Sequence, residues 1–187
     1  SIILKWLQKN FKAEVIAYTA DIGQKINRKK IIQNAKKLGV KKIIIENLKN
    51  TFVKEYIFPM IRAHAMYEGK YLLGTSIARP LIGKRQIAVA KKFKAFAVSH
   101  GSTGKGNDQI RFELAYSFFG KKIKIIAPWR IWKLQSRTDL IKYAKDNKIP
   151  IPKDKKGSPP FSVDDNIFHT STEGKILENP RNKAPEH

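Results

Sequence analysis

The feature that most constrains how this chain can fold is the stretch SHGSTGKGNDQIRFE, from Ser99 to Glu113. The apolar run before it (Phe93, Ala95, Phe96, Ala97, Val98) reads as a buried strand. Three glycines (Gly101, Gly104, Gly106) and two small hydroxyl residues (Ser102, Thr103) follow at once. Asn107 and Asp108, both good N-cap types, then precede the helical pattern Ile110, Leu114, Ala115, Phe118. Strand, glycine-rich loop and capped helix bring backbone N–H groups and a helix N-terminus together on an anion, most often a phosphate. Asn107 and Asp108 lie one turn before Arg111, so an amide, a carboxylate and a guanidinium crowd the start of one helix. Such a set can hold a zwitterionic amino acid beside a nucleotide. The same spacing also suits an ordinary surface ion pair between Asp108 and Arg111. The loop is not a Walker P-loop, because Gly106 follows Lys105 where Ser or Thr belongs and Ser99 stands where the first glycine would. It lacks the G-x-G-x-x-G order of the dinucleotide fingerprint as well, and no strand-end acidic residue follows at the required distance.

The rest of the chain alternates in the same manner. Helices are expected over Ile2–Lys9, Arg28–Leu38 (ended by Gly39), Thr51–Met66 (disturbed at Pro59), Ser76–Phe93 (with Pro80 in its first turns) and Thr138–Asn147. Strands are expected over Glu14–Ala20, Val40–Ile45, Phe96–Ser99 and Ile123–Pro128. Helices between β-rich apolar runs predict an α/β fold, a parallel sheet with helices on both faces. From Ile149 the texture changes: Ile149-Pro150-Ile151-Pro152 and the Pro-, Gly- and Lys-rich run Lys153–Pro160 read as a linker. Residues 1–150 are therefore expected to form one α/β domain, with a nucleotide-binding role if the loop holds phosphate, and 151–187 a linker and the beginning of something further. Ligands of open parallel sheets bind at the carboxyl ends of the strands. Ala20-Asp21-Ile22-Gly23-Gln24, the glycine-rich loop and Ala127-Pro128-Trp129-Arg130 all exit there. Ala20 and Gly101 thus stand where backbone can border an adenine or a ribose.

Charge invites a competing reading. Lysine and arginine outnumber acidic residues 38 to 15, giving a net charge of +23, and basic surfaces bind nucleic acid through counterion release. The lysines are nevertheless dispersed in pairs such as Lys29-Lys30, Lys36-Lys37, Lys91-Lys92 and Lys121-Lys122, and no strand carries stacking aromatics of an RNA-binding type. Solvated helix faces account for them, so no nucleic-acid partner is expected. No apolar run approaches the roughly 20 residues of a membrane span. The first helix is amphipathic and lacks the charged start and cleavage site of a signal sequence, so no membrane partner and a cytoplasmic location are expected. Zero cysteines exclude disulfides and thiolate chemistry. The four histidines (His64, His100, His169, His187) lack metal-site spacing, so no resident metal is expected, and His100 reads as structural rather than as a general base.

SHGSTGKGNDQIRFE closely resembles the signature of the argininosuccinate synthase family. Five further segments match that family in order: IAYTADIGQ (Ile16–Gln24), YLLGTSIARPLIGKRQ (Tyr71–Gln86), IAPWR (Ile126–Arg130), DLIKYAKDNKIPIP (Asp139–Pro152) and FSVDDNIFHTSTEGKILENP (Phe161–Pro180). The resemblance implies an ATP-pyrophosphatase domain of the adenine nucleotide alpha hydrolase-like kind, followed by the start of an α+β synthetase domain. It implies ATP contacts at Ala20 and Gly101. It implies aspartate contacts at Thr103, Asn107 and Asp108, and citrulline contacts at Tyr71, Ser76, Asn107, Arg111, Ser162 and Ser171. Read without it, Tyr71 is a core-edge aromatic and Ser76 a plain N-cap, while Arg79 and Lys84 suit solvated helix residues.

The activity implied is an ATP-dependent carbon–nitrogen ligation of citrulline and aspartate, releasing AMP and pyrophosphate, within arginine biosynthesis and the urea cycle. ATP with Mg²⁺ would be the substrate, with no permanent cofactor, and the whole enzyme would be a homotetramer. Ser1 matches the last residue of the family's SGGLDTS pyrophosphate loop, and His187 falls early in the synthetase domain. The first strand, nearly all of that loop and further citrulline contacts are therefore expected outside this chain, which alone should not turn over. Ser102 and Lys175 depart from the family's usual residues without an expected loss of binding. Two other classes stay open: a tRNA-modifying enzyme of the same superfamily, and a non-catalytic nucleotide-binding module.

Overall fold

The computed structural model describes residues 2–134, 136–150 and 161–183. Helix α1 (Ile2–Phe11) is amphipathic and turns Trp6 and Leu7 inward. Strand β1 (Ile16–Asp21) leads to α2 (Arg28–Lys37), whose first turn is capped by the Asn27 side chain accepting from the Lys30 N–H. Strand β2 (Lys42–Asn47) follows. Next come α3 (Lys49–Phe52), a π turn (Val53–Ile57) and α4 (Phe58–Arg62), in place of the single helix expected to Met66. Pro59 explains the break. Having no N–H, it fits only a first turn, and the Phe58 N–H reaches back five residues to Val53 O. The segment stops where His64 takes a left-handed backbone, φ 49°.

Helix α5 (Gly74–Lys92) starts two residues before the expected Ser76. After β3 (Ala97–Ser99) come α6 (Asn107–Phe119), β4 (Lys124–Ile126), α7 (Pro128–Ile131) and α8 (Arg137–Asp146). Helix α8 opens on a capping box between Ser136 and Asp139, earlier than the expected Thr138. The expected linker lies outside the described residues but for Ile149 and Pro150. Beyond it, β5 (Ser162–Asp165) and β6 (Thr170–Glu173) form an antiparallel hairpin with Ser162 opposite Glu173 and Asp164 opposite Ser171.

Among the described residues the parallel strands form two ladders. β1 pairs with β2 from Ile16↔Lys42 to Asp21↔Asn47, and β3 with β4 from Ala97↔Lys124 to Ser99↔Ile126. No strand pairing joins the two ladders among the described residues. Helices nonetheless cover both faces. On β4, Ile125 packs into the cluster of Ile87, Ala90, Val98 and Tyr116, from α5, β3 and α6. Its neighbour Ile126 packs into the cluster of Trp6, Leu7 and Trp132, with α8 behind it. Adjacent strand residues face opposite ways, so α5 and α6 lie on one side, and α1 and α8 on the other.

Helix α6 shows the clearest departure from the sequence pattern. Of the helical pattern read from the sequence, Ala115 is buried, whereas Ile110, Leu114 and Phe118 are 57%, 65% and 73% exposed. The buried face carries Gln109, Ala115 and Tyr116, with Phe112 and Phe119 packed beside them. The helix is apolar on two sides, so periodicity alone offers two faces. Packing on α5 selects one, at close range: a Cβ on Gly83 would stand 2.8 Å from Ala115 Cβ.

Candidate functional site

The carboxyl ends of β1, β3 and β4 carry the polar segments predicted from the sequence, and the β5–β6 hairpin is fixed to the first of them. The Ile167 N–H donates to Ile22 O at 2.9 Å. The hairpin also approaches the start of α5. A Cβ on Gly74 would lie 2.9 Å from both Cβ and Nδ1 of His169, so only glycine fits there without displacing the hairpin. Between the β1 exit, α5 and the hairpin lies a cavity of about 420 Å³ bordered by Gln24, Lys25, Thr75, Arg79, Asp164 and Asn166, among others.

A four-member charge cluster joins α5, α6 and the hairpin. Asp108 receives Arg79 Nε on Oδ2 at 2.7 Å and Arg111 Nη1 on Oδ1 at 2.7 Å. Arg79 Nη2 reaches on to Asp164 Oδ1 at 2.8 Å. The Arg79 side chain is only 20% exposed, which corrects the expectation of a solvated helix residue. Burial alone would disfavour its charge, but its hydrogen bond to Asp108, with the Asp164 carboxylate beyond, outweighs that and holds its pKa above the ordinary arginine value. Such charge-assisted, geometrically fixed bonds are the strong class. The ion pair between Asp108 and Arg111 is real, and it is one edge of a larger cluster.

Strand alternation places two predicted residues beside this cluster. Asp164 and Ser162 share one face of β5, and Ser171, directly opposite Asp164, lies on that same face. Since Asp164 reaches Arg79, this face turns toward α5. Tyr71 stands edge-on to His169, centroids 5.0 Å apart, so the predicted citrulline residues Tyr71, Ser162 and Ser171 all touch or belong to the hairpin. Ser76 is inside the first turn of α5, not at its cap, and its Oγ and that of Thr75 are buried without a hydrogen-bond partner.

The glycine-rich loop leads into α6 through Gly106 at the N-cap, with Asn107 and Asp108 as the first helical residues instead of caps. No side chain caps this helix, so its first N–H groups point into the loop region. Thr103 Oγ1 lies 3.0 Å from where a Gly106 Cβ would be. Ala20 is buried near the end of β1, under a turn in which Gln24 Nε2 donates to Ala20 O at 2.7 Å. Ala20 lies in β1 and Gly101 in the loop after β3, and no strand pairing joins those two ladders among the described residues.

Sequence reasoning missed Asp164 and undervalued Arg79. Their contact spans 85 residues, a separation at which neither periodicity nor local spacing carries information.

These features define an α/β domain whose strand-end loops meet a polar cluster of two arginines and two aspartates. A family model described as the arginosuccinate synthase N-terminal HUP domain matches residues 1–150. The argininosuccinate synthase of Pelagibacter ubique is 80% identical over 186 residues, those of Parvibaculum lavamentivorans 58% over 187 and Xanthobacter autotrophicus 57% over 189. Each alignment covers 100% of this chain and 46–47% of the relative. The chain belongs to the argininosuccinate synthase family, and it spans about half the length of the curated relatives it matches.

Proposed function

We propose that the enzyme carrying this chain joins citrulline to aspartate at the expense of ATP, as a cytoplasmic homotetramer in arginine biosynthesis. Family membership supports the reaction. The observation that carries it into this molecule is the Arg79–Asp108–Arg111 cluster, which ties α5 to the start of α6, beside a glycine-rich loop and an uncapped helix N-terminus.

The chemistry has two steps. The ureido oxygen of citrulline attacks the α-phosphorus of ATP, forming a P–O bond while pyrophosphate leaves. The aspartate amine then attacks the activated carbon, the C–O bond to AMP breaks, and the amine gives up a proton. Mg²⁺ enters as part of the MgATP substrate. Positioning and electrostatics supply most of the acceleration in such a reaction. Ala20 and Gly101 offer backbone to the nucleotide. Thr103 and Asn107 donate to the aspartate carboxylates, and Asp108 accepts its ammonium. An ionised carboxylate has about four acceptor positions, so Asp108 can serve both arginines and a substrate. Arg111 uses one of its donors on Asp108 and keeps others for the citrulline carboxylate. Asn107 lies between the two amino acids, and Tyr71, Ser76, Ser162 and Ser171 complete the citrulline contacts.

Among the described residues no helix is long and apolar enough to cross a membrane. The test is a nucleotide product assay on the full-length gene product. Formation of AMP and pyrophosphate that requires both citrulline and aspartate supports the reading; ADP and phosphate, or indifference to citrulline, refutes it.

A further inference from the structure

His100 is the one histidine within the loop signature, and both of its ring nitrogens are engaged. Its side chain is 2% exposed. The Ser102 backbone N–H points at Nδ1 across 3.3 Å. A backbone N–H can only donate, so Nδ1 is the acceptor and the ring proton sits on Nε2. Nε2 faces Glu113 Oε1 on α6 at 3.2 Å, where a carboxylate accepts that proton. Glu113 is held in turn from the β4 side, its Oε2 receiving Arg130 Nη2 at 3.1 Å. Phe112 stacks on the imidazole, centroids 5.8 Å apart and planes 10° from parallel, and Tyr116 lies at 6.2 Å.

We infer that His100 is a positioning residue for the glycine-rich loop: through Nδ1 it closes the first turn of the loop over Gly101, and through Nε2 it ties that turn to Glu113 and Arg130. The chain Arg130–Glu113–His100–Ser102 thus sets the shape of the loop backbone from a buried histidine. Second-layer partners of this kind fix tautomer and orientation for the groups that do touch ligand. Protonation would set an Nδ1–H against the Ser102 N–H and open the turn. Glu113 favours that protonation, whereas Arg130 and burial among Phe112 and Tyr116 oppose it, and burial is the largest influence. The inference rests on the reading of this loop as a nucleotide site.

Two variants of the full-length enzyme separate the two ring nitrogens. His100→Asn places an amide oxygen near Nδ1, preserving the Ser102 acceptor and losing Glu113. His100→Gln reaches the Nε2 position, preserving Glu113 and losing the Ser102 acceptor. The expected result is an ATP Kd raised about tenfold in His100→Gln, the effect of one modest hydrogen bond, and within about threefold of wild type in His100→Asn. The KM values for citrulline and aspartate should move less than the ATP Kd. ATP binding needs no ligation, so an intact ATP effect without citrulline-dependent turnover overturns the proposed reaction and leaves the positioning role standing. Equal weakening of all substrates in both variants overturns the positioning role. If neither variant folds, ¹⁵N spectra of the unmodified protein at neutral pH decide: an Nε2–H tautomer with a bare Nδ1 supports the role, and an Nδ1–H or doubly protonated ring overturns it.

Discussion

Arg79 Nε donates to Asp108 Oδ2 at 2.7 Å, joining α5 to the first turn of α6 across 29 positions of sequence. The same guanidinium holds Asp164 at 2.8 Å on the hairpin. One planar side chain therefore sets the distance between three elements that carry predicted aspartate and citrulline contacts. Its fork has no equivalent in an ammonium.

Arg79→Lys in the full-length enzyme keeps the charge and loses the fork. The expected outcome is a rise of about tenfold in the KM for aspartate and citrulline, the scale of one charge-assisted hydrogen bond, with the ATP KM within about twofold. Unchanged kinetics show that the cluster does not order the site.

Arg111→Lys tests the other arm of Asp108. Citrulline KM should rise well beyond any change for ATP or aspartate. An equal loss for all three assigns Arg111 to holding Asp108 at 2.7 Å and nothing more.

Gly74→Ala would drive a methyl to within 2.9 Å of His169. Relief requires the hairpin to shift away from α5, so stability should fall by about 1–3 kcal/mol, read as a lower denaturation midpoint. Citrulline affinity should weaken with it, since Tyr71, Ser162 and Ser171 move with the hairpin. A midpoint equal to wild type contradicts this seating of the hairpin.

The sequence makes the order of elements legible, because apolar runs, glycines and caps are local signals. It places the loop between β3 and α6 correctly and assigns helices to both faces. It does not show that Pro59 breaks a helix through a π turn, since an expected disturbance at proline does not say how hydrogen bonding adapts. Nor does it choose the buried face of α6, where the apolar Ile110 and Leu114 stay exposed and Tyr116 is buried. The family motif points to Asp108 and Arg111. Arg79 and Asp164 become visible only once the hairpin folds back onto α5.

Two groups set opposite pH limits on stability. His100 has its pKa lowered, chiefly by burial, so below about pH 6.5 the unfolded chain takes up a proton that the folded chain resists. Stability from this group is complete above that pH and declines as pH falls toward the lowered folded value. Tyr116 has its pKa raised, by burial first and then by Glu113. Above about pH 10 the unfolded phenol ionises first and stability declines as pH rises. Denaturation midpoints of wild type and His100→Asn should converge as the pH is lowered from 7 to 5. Parallel curves would contradict the acid limit.

The chain alone should bind ATP weakly, with at most a small preference over AMP, and should form no argininosuccinate. It spans about half the length of its relatives, and no strand pairing joins its two ladders among the described residues. Dispersed lysines add only a screened attraction, the Debye length being about 8 Å at ~0.15 M salt. Calorimetric titration of ATP and AMP checks this. Tight, ATP-selective binding would place the phosphate site within these residues.

The most direct measurement of the central claim follows one oxygen atom. Citrulline labelled with oxygen-18 in the ureido group is supplied to the full-length enzyme with ATP and aspartate, and the nucleotide product is weighed by mass spectrometry. Attack of the ureido oxygen on the α-phosphorus predicts that the label leaves in AMP, in step with argininosuccinate formation. Unlabelled AMP, or ADP as the product, would contradict the account.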